Sequence, residues 1–114
     1  MRKKLIENAA FEVATQVRAV EETIEQALEE IAELQARMIR ARATVGIATG
    51  TGHQALEQLA QATLGLVSAR GGMANCHSIL KDTTQQVPGL RTIGFGEADE
   101  CPPPSGVMPL RIVA

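Results

Sequence analysis

Apolar residues recur at alternating steps of four and three along the first part of the chain. The series has twelve members, and every one is apolar: Ile6, Ala10, Val13, Val17, Val20, Ile24, Ala27, Ile31, Leu34, Met38, Ala41 and Val45. Residues 3–45 contain neither Gly nor Pro. A repeat that averages 3.5 residues is that of a coiled-coil helix, whereas a strand repeats every two residues. The pattern predicts one continuous helix over residues 3–45.

A second series with the same spacing runs from residue 55 to residue 87. Only Thr83 is polar among its members, which are Ala55, Leu59, Ala62, Leu66, Ala69, Met73, Cys76, Leu80, Thr83 and Val87. Pro88 and Gly89 follow directly and are typical of a helix end. We therefore predict a second helix over about residues 53–87, with Cys76 as a small buried hydrophobic residue on its seam.

The segment between the two series, residues 46–52, has the composition of a turn. Gly46 stands where a helix C-cap glycine belongs, and Thr51 followed by Gln54 fits a capping box that starts a helix. Because the connection is short, the two helices are expected to be antiparallel neighbours. The sequence predicts an all-α fold in which residues 1–88 form a long, coiled-coil-like antiparallel helical hairpin.

Each predicted helix carries a second apolar line that one seam cannot cover. Its larger members are the residues that we expect at a dimer interface: Phe11, Leu28, Ile39, Leu56, Leu64 and Val67. A wide apolar face is typical of helices in bundles. A second copy of the chain would cover it and complete a four-helix bundle, so we predict a homodimer. Gly65 and Gly72 lie on one flank of the second helix and indicate either close approach of another backbone or local flexibility.

From residue 89 to residue 114 the chain becomes rich in Pro and Gly, and we assign these residues to an extended C-terminal tail. The tail keeps apolar residues that disordered segments usually lack, among them Leu90, Ile93, Phe95, Leu110 and Ile112. One interpretation is that residues 89–96 fold back over the start of the first helix, which has no partner in the second. The other is that the tail docks on an unidentified protein partner. We favour the first for residues 89–96 and leave the last dozen residues open.

Composition and charge narrow the class of protein. The chain has 114 residues, two Phe, no Trp, no Tyr and a formal net charge of −2. Nucleic-acid binding normally needs a concentrated basic surface. Arg37, Arg40 and Arg42 share their helix with six glutamates between residues 21 and 33, so we expect no nucleic-acid partner. No apolar run is long enough for a bilayer and residues 1–20 are too polar for a signal peptide, which predicts a cytoplasmic protein with no membrane partner.

The titratable residues match no catalytic, cofactor or metal motif, so we expect no enzyme activity, cofactor or metal. His53 and His77 stand roughly 36 Å apart along one helix, too far to share an ion within one chain. Folding the hairpin at the turn places Arg70 near Glu29, and His77 near Glu21 and Glu22. The last group is a possible polar pair, which we interpret as an ion pair rather than an acid–base site. The sequence does not indicate whether Cys76 and Cys101 are ever oxidised.

Three functions fit these features. The first is a non-enzymatic, oligomeric helical protein that acts as an interaction or structural module. The second is an export substrate, because two antiparallel helices in a chain of this length are similar in shape to the WXG100 family. That resemblance is of shape alone, since the chain has no Trp, and its tail has no Tyr for that family's export signal. The third is a ligand-binding or acid–base bundle that uses His77, Glu21 and Glu22.

Overall fold

A computed structural model of the chain describes residues 2–90. They form two long helices: α1, Arg2–Val45, and α2, His53–Thr84. Helix makes up about 85% of this part of the chain, which contains no strand. The fold is therefore all-helical and consistent with the predicted helical hairpin.

The C-terminal end of α1 is closed by the glycine that the sequence suggested. Gly46 has a φ of 78°, a left-handed conformation that costs glycine little. Its backbone N–H donates to the Arg42 carbonyl at 2.9 Å, and the Arg42 guanidinium donates to the Ile47 carbonyl at 3.0 Å. These bonds satisfy carbonyl groups at the helix end, and the Arg42 cation opposes the negative end of the helix dipole.

The N-terminal end of α2 differs from the predicted capping box. The residue before the helix is Gly52, with a φ of 79°, and its carbonyl accepts from the N–H groups of Ala55 and Leu56 at 3.1 and 3.4 Å. Thr51 instead donates its backbone N–H to the Ala48 carbonyl at 3.0 Å. Gly52 thus takes the N-cap position, where glycine is well tolerated, and Thr51 lies one residue too early to cap.

α2 ends at Thr84, three residues earlier than predicted. The Thr84 hydroxyl donates to the Lys81 carbonyl at 2.7 Å. The N–H groups of residues 85–87 donate to carbonyls three residues earlier, at 3.1, 2.9 and 3.3 Å, so the chain tightens from an α-helix into shorter turns. Pro88 has no N–H to donate, and in a continuing helix its ring would clash with the carbonyl of Thr84, which explains why the helix ends before Pro88.

The chain divides into two compact units. Unit 1 contains the described residues of Met1–Val20 and Met73–Ala114, and unit 2 contains Glu21–Gly72. All four buried residues of the described chain belong to unit 1: Val17, His77, Thr84 and Leu90. In unit 2 every side chain is half-buried or exposed.

The buried side of α2 differs from the predicted seam at every second position. Residues 59, 66, 73, 80 and 87 are half-buried, as expected. The prediction was wrong for the alternate positions, which are exposed: Ala55, Ala62, Ala69, Cys76 and Thr83. Four of the five residues that directly follow them are half-buried or buried instead: Leu56, Thr63, His77 and Thr84. Three of these four are polar. The fifth, Arg70, is exposed.

Polar residues are tolerated on that side because their hydrogen-bonding groups are satisfied. The Thr63 hydroxyl donates to the Leu59 carbonyl at 3.0 Å, as Thr84 does to Lys81. No buried side-chain nitrogen or oxygen within residues 2–90 lacks a hydrogen-bond partner. A polar group that is buried and bonded costs much less than one left unpaired.

Along α1, eight of the twelve predicted seam residues are at least half-buried, and four are exposed. The exposed ones are Val13, Leu34, Ala41 and Val45, three of them in the last third of the helix. A straight α-helix drifts by about 20° per heptad from a strict seven-residue repeat. A long apolar line therefore leaves one face of a straight helix toward its end.

Candidate interaction surface

The described chain buries few of its large apolar side chains. Only two hydrophobic residues are buried, Val17 and Leu90, with 7% and 6% of their surface exposed. Ten others are 38–73% exposed: Leu5, Phe11, Val13, Leu34, Ile39, Val45, Ile47, Leu64, Val67 and Ile79. Single exposed apolar residues are common, but extended apolar surface on a small protein marks an interaction site.

The six residues predicted at a dimer interface divide into two groups. Four are exposed: Phe11 by 73%, Leu64 by 61%, Val67 by 51% and Ile39 by 48%. Leu28 and Leu56 are half-buried within the single chain. The first four are therefore accessible to another molecule, and the role of all six in dimerisation stays a prediction.

The exposed side of α1 is charged, and its charges pair with one another. Glu33 accepts from Arg37 Nε at 3.0 Å and from Arg40 Nη2 at 3.3 Å, so one carboxylate pairs with two arginines. All three side chains are more than half exposed, which limits each pair to less than about 1 kcal/mol of stability. This side of α1 is suited to water.

The long-range ion pair of unit 2 shows that the predicted pairing was wrong by one helical turn. Arg70 Nε donates to the carboxylate of Glu25, whereas the sequence suggested Glu29. Residues four apart on a helix are neighbours on the same face, so both glutamates lie on one side of α1.

The surface of α2 has a different character from that of α1. Between Glu57 and Lys81, Arg70 is the only charged residue of the helix. Apolar residues are spread around α2, while α1 is the more strongly amphipathic helix. A helix that is apolar on several sides is typically covered on several sides. Neither described helix is long and apolar enough to cross a membrane.

Glycines add to the accessible surface of α2. At Gly65, Gly71 and Gly72 an added Cβ atom would meet nothing within 4 Å. The described chain therefore brings no other backbone close to these glycines. No backbone within residues 2–90 approaches Gly65 or Gly72 closely, so approach by another backbone and local flexibility both stay predictions.

An open, mainly apolar pocket of about 560 Å³ lies at the turn of unit 2. Its apolar lining residues are Met38, Ile39, Ala41, Val45, Ile47, Ala55 and Leu56. Arg42 and His53 also line it, and His53 Nε2 lies 3.9 Å from a carboxylate oxygen of Glu57. The pocket can accept an apolar group, and its lining contains no paired nucleophile and base.

The remaining candidate residues occupy different environments. His77 is buried, with 4% of its surface exposed, while Glu21 is half-buried and Glu22 is exposed. Their pairing stays a prediction. Cys76 is an exposed free thiol, so its expected burial was wrong. The side chain directly after it, His77, takes the buried position.

The first residues after α2 pack against the chain. Leu90 is buried, and its N–H donates to the Val87 carbonyl at 3.1 Å. Gly89 has a φ of 94°, and a Cβ atom there would lie 3.9 Å from Lys3 Cγ, near the start of α1. The other apolar tail residues named above lie outside the described residues: Ile93, Phe95, Leu110 and Ile112. Docking of the tail stays a prediction.

Within residues 2–90, no group of three or more His, Cys, Asp or Glu side chains could hold a metal ion. Comparisons with protein-family models, with curated proteins and with solved structures find no match for the chain. The candidate site is therefore defined by geometry alone: it is the exposed apolar surface of the helices.

Proposed function

We propose that this chain is a non-enzymatic helical module that functions by self-association, as a homodimer of the four-helix-bundle type. Its C-terminal segment packs against the start of α1 or docks on a protein partner. The observation that carries the proposal is the contrast between two buried hydrophobic residues and ten large exposed ones. A second copy of the chain is the simplest cover for such a surface.

The energetics support covering several of these side chains together. Complete burial of a Val, Leu, Ile or Phe side chain contributes about 1.5–3 kcal/mol. Association costs an estimated 4–15 kcal/mol in lost freedom of motion. Burying one or two side chains is not enough to offset that cost, whereas burying several side chains of the size of Leu64 and Val67 in each of two copies is.

The charge distribution supports a protein partner over a nucleic acid. Arg37 and Arg40 are engaged with Glu33, and Arg70 with Glu25. Nucleic-acid binding relies on several Lys and Arg side chains that neutralise phosphates. A basic face of that kind is not formed by these three arginines.

Thermal unfolding at a series of protein concentrations tests the proposal. If folding is coupled to dimerisation, Tm rises with protein concentration, because association stabilises the folded state by mass action. The double substitution Leu64→Ser and Val67→Ser should lower Tm and reduce its concentration dependence. The matched control, Gln54→Ser with Gln58→Ser at two exposed positions of the same helix, should keep it. A wild-type Tm that is independent of concentration from the nanomolar to the high micromolar range would contradict the proposal.

A further inference from the structure

We infer that the pocket at the turn of unit 2 binds an anionic amphiphile, a small molecule with an apolar chain and one carboxylate, of the class of medium-chain fatty acids. This inference goes beyond the proposed self-association. The residues that line the pocket lie between Met38 and Leu56, so the site belongs to one unit of one chain.

The pocket has the size and the lining of a small-molecule site. Its volume of about 560 Å³ falls within the range of about 300–1,000 Å³ that is typical of ligand pockets. Three of the ten large exposed hydrophobic residues line it: Ile39, Val45 and Ile47, with 48%, 69% and 38% of their surface exposed. An apolar chain laid against these side chains removes them from water, which is favourable. The lining thus selects the apolar part of the ligand.

Arg42 selects the headgroup. Its side chain lines the pocket and is half-buried, and its Nη1 donates to the Ile47 carbonyl at 3.0 Å. Within residues 2–90 Arg42 forms no ion pair, and no Asp or Glu of that range lines the pocket. A guanidinium has five N–H donors, so Arg42 can keep its bond to Ile47 and also hold a carboxylate.

The other charges near the turn leave that choice in place. Residues 33–69 contain three arginines and two glutamates, although the whole chain has a net charge of −2. Glu33 is engaged by two arginines outside the lining, and Glu57, also outside it, lies 3.9 Å from His53 Nε2. The ends of α1 and α2 that meet the pocket have dipoles of opposite sign, so the cation of Arg42 decides the sign of the site.

These features also fix how the ligand lies. The carboxylate is placed at Arg42, and the apolar chain extends along Ile39, Val45 and Ile47. Because the pocket is open, the carboxylate keeps part of its hydration, which limits the cost of binding a charged group. A cationic amphiphile of the same chain length would place its charge against Arg42 and is disfavoured.

Titration of the full, ¹⁵N-labelled chain with decanoate below its micelle concentration, followed by NMR, tests the inference. Decanoate should shift the amide signals of residues 38–56 and reach saturation. Affinity should rise about twofold to fourfold per methylene from hexanoate to decanoate, because burial of each methylene is favourable. Decyltrimethylammonium, which has the same chain and a cationic headgroup, should bind about tenfold more weakly, since it loses the hydrogen bonds to Arg42.

Variants of Arg42 separate its charge from its role in the turn. Arg42→Met should weaken decanoate binding by about tenfold and leave decyltrimethylammonium binding no weaker. Arg42→Lys also loses the guanidinium bond to Ile47 but keeps the charge, so it should retain most of the affinity. The matched control is Arg40→Met, which removes an arginine paired with Glu33 outside the lining and should bind decanoate as the wild type does. Helical circular dichroism establishes that each variant is folded.

Several results would overturn the inference. These are the absence of a saturable shift, shifts centred outside residues 38–56, equal affinity for the anionic and cationic amphiphiles, and equal weakening by Arg42→Met and by either Arg42→Lys or Arg40→Met. Coupled shifts in residues 91–114 would identify the chain's own tail as the occupant, and dissociation of a dimer in step with binding would identify a second copy. Either would overturn the assignment to a small molecule. The mass of the ligand-free chain reports on self-association separately.

Discussion

α1 and α2 are both long helices, but they distribute apolar and polar residues in different ways. The half-buried side of α1 is mostly apolar and its exposed side is charged, with Glu33 bonded to Arg37 and Arg40. The arrangement is that of an ordinary amphipathic helix with one face toward solvent. The exposed residues of α1 also include six of the ten large exposed hydrophobic residues, among them Phe11 and Ile39, which packing within one chain does not explain.

α2 is less clearly divided than α1. Its half-buried side keeps apolar residues such as Leu59 and Leu66 but also includes Thr63, His77 and Thr84, whereas its exposed side carries Leu64 and Val67. Packing within one chain does not explain why apolar residues point outward while polar ones are buried. α1 therefore combines a charged, solvent-facing side with exposed apolar residues, whereas the exposed apolar residues of α2 have few charges around them and are better suited to a second protein surface.

The largest expected effect comes from placing a charge on the exposed face of α2. Val67→Lys should raise the dimer dissociation constant by about a hundredfold or more, because desolvating an unpaired charge costs several kcal/mol. Analytical ultracentrifugation measures that constant. Leu34→Lys on α1 is the matched control, since its wild-type exposure is 48% against 51% for Val67. Equal weakening by both substitutions would erase the distinction between the two helices.

An intermediate effect is expected when the rate of thiol modification is compared between an exposed and a buried position of α2. Cys76 is exposed, so a thiol reagent should modify it at close to the rate for an unfolded peptide. A cysteine at the buried neighbouring position, made by His77→Cys with Cys76→Ser, should react about one to two orders of magnitude more slowly, since it must wait for local opening. Both proteins carry Cys101→Ser, and labelling is followed by mass spectrometry. Similar rates would mean that the buried side of α2 lies elsewhere.

The smallest effect is expected at the ion pair of Arg70 with Glu25. Both side chains are more than half exposed, so Arg70→Met should lower the free energy of unfolding by less than about 1 kcal/mol. Salt should reduce the difference further, because exposed pairs are screened. Urea unfolding with Arg37→Met as the control measures it. A loss above about 2 kcal/mol would instead identify a charge that is desolvated in the folded protein.

The helices were predictable from the sequence because long periodic segments carry the strongest local signal. The end of α1 was predictable because a glycine at the C-terminal end of a helix is a local signal, and Gly46 takes that position. The register of α2 was not predictable in the same way. Ala62, Ala69 and Cys76 form a more apolar line than the residues that follow them, yet Thr63 and His77 are the ones that are half-buried or buried. Hydrogen bonds made after folding offset the polarity of such residues, and a hydropathy pattern does not contain them.

The candidate surface was predictable only in part. Leu64 and Val67 stand out in the sequence because they fall on a second apolar line, and both are exposed. Leu28 and Leu56 fall on the same predicted line but are half-buried. An apolar pattern does not specify the rotation of each helix about its own axis, and for the same reason the sequence suggested Glu29 rather than Glu25 as the partner of Arg70.

The most direct test of the central claim is the mass of the wild-type chain in solution, measured by light scattering during size-exclusion chromatography at micromolar concentration. A homodimer gives twice the chain mass of 12.1 kDa. The mass should shift toward that of a single chain for Val67→Lys but not for Leu34→Lys. A wild-type mass of 12.1 kDa at the highest concentration reached would contradict the homodimer.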